Sequence, residues 1–162
     1  MLLSLTHNGR QFINCSAAEL AEAGVPAATI DDAVAAVVTS DAHRAIDAIC
    51  DALYTHSPSR DARYNNKYDE AIRYRDANWP SSVAEADYPT LVNEAPKRGL
   101  TKRQLAEQII ARRDAFNLLG GKAEATRAEI ETSVAAAAGA DAKRAAAAAL
   151  VAAFAALVAA AG

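Results

Sequence analysis

Apolar residues change their spacing once along this chain, near Cys15. Before it, Leu3 and Leu5 lie on one side of His7-Asn8-Gly9-Arg10, and Phe12 and Ile13 on the other. Asn-Gly suits a two-residue type I′ turn, so residues 2–15 predict a β-hairpin. A lone hairpin is marginal, and this one must lean on a helix or another sheet. After Cys15 the spacing becomes three and four. Ser16-Ala17-Ala18-Glu19 has the form of a capping box and opens a short helix to about Ala23, which Gly24 ends ahead of Pro26. Thr29 or Asp31 is expected to cap a long helix with the face Ile30, Val34, Val38, Ala42, Ile46, Ile49 and Leu53, broken at His56-Ser57-Pro58-Ser59.

A second helix is predicted from Arg60 to Ala77, with the stripe Tyr64, Tyr68, Ile72 and Arg75 continued by Trp79. Asn78-Trp79-Pro80 ends it, because a residue before proline avoids the helical region. Residues 80–88 read as a connection, and Pro89 opens a short helix reaching about Gly99. Thr101 caps the longest helix. Leu105, Ile109, Arg112, Phe116, Leu119, Ala123, Thr126, Ile130, Ser133 and Ala137 follow heptad-like steps there, a partly coiled-coil seam. Gly120-Gly121 costs about 2 kcal/mol relative to alanine and predicts a kink or break. Gly139 separates the last helix, where Leu150, Val151, Phe154, Leu157 and Val158 form one bulky stripe. No fixed-period repeat is present.

These elements predict a mainly α fold: an N-terminal β-hairpin (1–15), a helical body (16–99), a long helix (100–138, kinked near 120–121) and an alanine-rich attachment helix (139–162). Composition sharpens the last part. Alanine supplies 43 of the 162 residues, and 18 of the 28 from Ala135 to Gly162. Such a segment forms helix readily but has little bulk for a core of its own. With one Trp, three Phe and one Met, a self-sufficient core would be thin, which favours burial between subunits. The uncharged run Ala145–Ala161 would span only about 25 Å, short of a ~30 Å hydrocarbon core, so packing on protein is expected and a membrane is not.

Charge adds little. The net of −3 gives no general steering toward nucleic acid or membrane. Residues 1–57 carry seven acids against two bases, whereas 58–134 carry thirteen bases against twelve acids. The basic run Lys97, Arg98, Lys102, Arg103, Arg112 and Arg113 reads first as a solvated helix face. An acidic partner or a phosphate backbone is its functional alternative.

Candidate chemistry is sparse. His7, His43 and His56 lack a second ligand at metal spacing, and His43 with Asp47 reads as an exposed helical pair. Asp31-Asp32 suits a helix start, where carboxylates meet the positive dipole end. Cys15 and Cys50 sit among apolar neighbours and form no disulfide framework. Gly120-Gly121 lacks the strand and the Lys-Ser/Thr of a phosphate loop. The Tyr/Arg block from Arg60 to Arg75 could stack on bases, but the same spacing gives packed tyrosines with paired charges, Lys67 to Glu70 and Asp69 to Arg73. No enzyme, cofactor or metal is expected. The N-terminus has no basic region of a signal peptide, and a reducing compartment is the expectation.

Several short blocks together resemble small bacteriophage and prophage tail-fibre-associated or tail-assembly proteins. They are Leu20-Ala21-Glu22-Ala23-Gly24-Val25-Pro26, leading into Ile30-Asp31-Asp32-Ala33; Arg44-Ala45-Ile46; Tyr64-Asn65-Asn66-Lys67-Tyr68-Asp69-Glu70-Ala71; Tyr88-Pro89-Thr90-Leu91; and Arg127-Ala128-Glu129-Ile130. The resemblance covers residues 1–134 and leaves the alanine-rich end outside. It implies a non-enzymatic virion component, assembled in the host cytoplasm, with other phage tail or fibre proteins as partners; the thin core adds the expectation of an oligomer. A transient fibre-assembly chaperone is the alternative it implies; a nucleic-acid-associated regulator using residues 97–113 is a second alternative, read from the basic run. The expected partner-binding residues are Leu150, Phe154, Leu157 and Val158 on the last helix and Leu105, Ile109 and Phe116 on the long one.

Overall fold

The computed structural model describes the backbone of residues 1–53 and 58–161 and the side chains of these, apart from 58–60 and 161. The element order is β1 (Leu3–His7), β2 (Arg10–Cys15), α1 (Ala17–Glu22), α2 (Ala27–Ala52), α3 (Pro58–Asp76), α4 (Pro89–Lys97), α5 (Lys102–Ala136) and α6 (Ala140–Ala161). This is the mainly α fold with an N-terminal hairpin that the spacing predicts. Its chain partition differs: residues 1–53 with 122–162 form one compact unit, and residues 54–121 form the other.

In the first unit, β1 and β2 pair antiparallel with His7 opposite Arg10 and Leu5 opposite Phe12. Asn8 and Gly9 have φ of 48° and 76°, the left-handed conformations that a type I′ turn requires. The register slips between Leu3 and Leu5, where Asn14 takes φ 54° and donates its backbone N–H to Ser4 Oγ. This bulge keeps Leu3 and Phe12 both buried and leaves Leu2 and Ile13 outside. Ser16 caps α1 with the reciprocal Glu19 bond of a full capping box. Hydrogen bonds from the Ser16 backbone N–H and hydroxyl hold the exposed Glu19 carboxyl below its ordinary range.

Capping by Thr29 or Asp31 is corrected. The helix begins at Ala27 behind Pro26, with no side-chain cap, and the Ile30 N–H already reaches the Pro26 carbonyl at 3.1 Å. Proline's fixed φ suits this entry without a capping side chain. Ile30, Val34, Val38, Ala42 and Ile46 form the buried face of α2, as their spacing predicts, but its expected end is corrected: Ile49 is half-buried and Leu53, just past the helix, is 53% exposed. The expected break at residues 56–59 lies partly outside the described residues, as does His56.

The second unit is built around Ala71 and Tyr74 of α3, Leu91 and Ala95 of α4, and Leu105 and Ala106 of α5. Asn78 (φ 60°) and Trp79 (φ 59°) end α3, with N–H bonds back to the Arg75 and Tyr74 carbonyls. A tryptophan at positive φ stores strain of about 1–3 kcal/mol. In return its ring folds back edge-on to Tyr74, which also meets Tyr88 edge-on and donates to the Pro80 carbonyl. Thr101 and Gln104 form a second capping box at the start of α5.

Of the kink or break predicted at Gly120-Gly121, the break is corrected: α5 stays helical through both glycines. Their cost of about 2 kcal/mol is spread over a 35-residue helix. The glycines nonetheless stand where one compact unit gives way to the other.

Candidate functional site

In the first unit, α6 packs along α2. Its stripe faces inward: Phe154 is 2% exposed, and Leu150, Val151, Leu157 and Val158 are half-buried. At its N-terminal end Lys143, 1% exposed, donates to the Val134 and Ala137 carbonyls at 3.0 and 2.8 Å and lies 3.1 Å from Asp31 Oδ2. An ammonium has three N–H groups, and each has an acceptor. The opposite face of α6 is Ala145, Ala148, Ala149, Ala152, Ala153 and Ala156, all exposed, with no charge from Ala145 onward. Within Ala140–Ala160 the buried residues are Lys143, Ala147 and Phe154.

The helix is longer than its uncharged run. Its 22 residues extend about 33 Å, so α6 is long and apolar enough to cross a membrane by length and composition. The span of about 25 Å expected for the uncharged run is thus exceeded by the whole helix, whose first turns add Asp141, Lys143 and Arg144. What bears on docking is Lys143, which fastens α6 to its own chain.

Elsewhere in this unit His43 reaches the Arg127 carbonyl at 3.4 Å and Glu131 at 3.7 Å. Arg127 pairs with Asp47 and Glu124. Thr39, Ser40, His43 and Arg44 of α2 face Glu131 and Val134 of α5 across a shallow groove of about 520 Å³. Burial pushes the Cys50 thiol above its ordinary range against the pull of Arg127, which disfavours the nucleophilic thiolate. Among the described residues no group of three His, Cys, Asp or Glu side chains is placed to hold a metal.

In the second unit the predicted stripe is corrected: Tyr64 is 49% exposed, Arg75 is exposed, and Tyr68 and Ile72 are half-buried, while the buried face of α3 runs through Glu70, Ala71 and Tyr74, which meets α4. The local pairs expected from spacing give way to longer-range ones. Lys67 binds Glu94 rather than Glu70, and Arg73 donates to the Asp87 carbonyl at 3.2 Å and lies over the Tyr88 ring. Glu70 is freed to accept the N–H groups of Thr90 and Leu91 at 3.1 and 2.7 Å, capping α4 from another helix. The basic run is similarly engaged. Arg98 pairs with Glu94; Arg103 pairs with Glu107 and lies over Trp79; Arg113 lies over Tyr68 and donates to Asn65.

No protein-family model, curated protein or solved structure matches this chain.

The expected partner-binding residues therefore fall into three situations. Phe154 and Leu105 are buried in their own units, and Leu150, Leu157, Val158 and Ile109 are half-buried. Phe116 is 47% exposed, beside Leu118 at 63%. The α6 set belongs to the first unit, and the α5 set, Leu105, Ile109 and Phe116, belongs wholly to the second. Sequence reasoning passed over Lys143, Asp31 and Glu70 as ties between elements. Lys143 had a readable signal: a cation in the first turn opposes its own helix dipole and needs another helix's C-terminus nearby.

Proposed function

We propose that this chain is a non-enzymatic structural component of a bacteriophage tail, docking to another tail or fibre protein through the alanine face of α6. One observation carries the docking: an uncharged helix face left outside its own unit, on a helix whose buried residues over Ala140–Ala160 are Lys143, Ala147 and Phe154. A surface helix ordinarily sets charged residues there. Alanine lets a second backbone approach closely, so the face suits a helical partner. The bulky stripe is already used on the inner side, which moves the proposed contact away from Leu150, Phe154, Leu157 and Val158. The tail assignment rests on the resemblance over residues 1–134.

Arg98 and Arg103 pair with carboxylates and Arg113 is held by Tyr68 and Asn65, so among the described residues Lys97, Lys102 and Arg112 are the part of the basic run without such contacts, which gives a nucleic-acid role little support. The test is co-expression with the neighbouring tail gene products, using the wild type and Ala152→Lys/Ala156→Lys. The variant is expected to keep its helicity and melting temperature and to lose the co-purifying partner. Retained co-purification overturns α6 docking. Mass spectrometry of purified virions is expected to find the chain at stoichiometric copy number. Its absence there, with fibre co-purification intact, identifies the transient chaperone instead.

A further inference from the structure

We draw no further inference here: the strongest candidate, the shallow groove between α2 and the C-terminal half of α5 lined by His43, Arg44 and Glu131, has polar walls that already pair within the chain, and nothing in the structure shows what covers it.

Discussion

Lys143 Nζ lies 3.1 Å from Asp31 Oδ2, so one buried cation joins the beginnings of α6 and α2. The same ammonium closes the last turn of α5 through two carbonyls. A positive charge is unfavourable at the start of α6 and favourable at the end of α5, and the carboxylate of Asp31 stands near the positive end of α2. Two of the three helix ends are thus served by a charge of the fitting sign.

Replacing Lys143 by methionine keeps the volume but leaves the Val134 and Ala137 carbonyls without their donor. We expect a loss of about 1–3 kcal/mol, read as a lower urea midpoint by circular dichroism. Asp31→Asn should cost less than about 1 kcal/mol, because that side chain is about half exposed and water can replace it. Equal midpoints for wild type and Lys143→Met would show that the clamp contributes nothing.

Phe154→Ala removes a ring that is 2% exposed and should cost about 3–5 kcal/mol. Ala152→Lys, on the outward face, should stay within about 0.5 kcal/mol. Thermal melts of the two single variants check the orientation of α6, since the reverse ranking would place the bulky stripe outside.

Glu70→Gln exchanges a charged acceptor at the N-terminus of α4 for an amide that can offer only one oxygen to the Thr90 and Leu91 N–H groups. About 1–3 kcal/mol should be lost within the second unit. Amide hydrogen exchange should speed up first at Thr90 and Leu91. Unchanged protection at both sites would remove Glu70 as the cap.

Partial burial raises the Glu94 carboxyl, but Lys67 and Arg98 outweigh it and hold the group below its ordinary value of 4.5. A depressed folded value means stability that is present above pH 4.5 and is lost as pH falls through the folded value. Unfolding free energy measured from neutral pH down to about pH 3 should decline less steeply in Glu94→Gln than in the wild type. Parallel curves would deny Glu94 this part in acid sensitivity.

Local signals carried the fold. The Asn8-Gly9 turn, the Ser16–Glu19 box, Pro89 at the first turn of α4, the Thr101 cap and Gly139 at φ 81° each act within a few residues, and each was readable in order. The bulge at Asn14 was not, because it depends on keeping both Leu3 and Phe12 inside. Helical neighbours such as Lys67 and Glu70 attract one another by only about 0.2–0.5 kcal/mol, so the approach of α4 to α3 redirected both. The candidate docking face was legible as alanine, but its orientation was not. A bulky stripe can face a partner or its own chain, and the contacts of α6 with α2 decided which.

Gly120-Gly121 marks a boundary that also sets an order in time. Residues 54–121 are contiguous, so the second unit has all its parts as soon as they leave the ribosome. The first unit has to wait for residues 122–162, although its hairpin and α2 are made before the second unit. During synthesis the apolar face of α2 therefore stands without α6 while the later unit is already complete. Residues 1–53 thus precede the second unit in synthesis and close after it, and that interval is when a nascent-chain chaperone has the most apolar surface to hold.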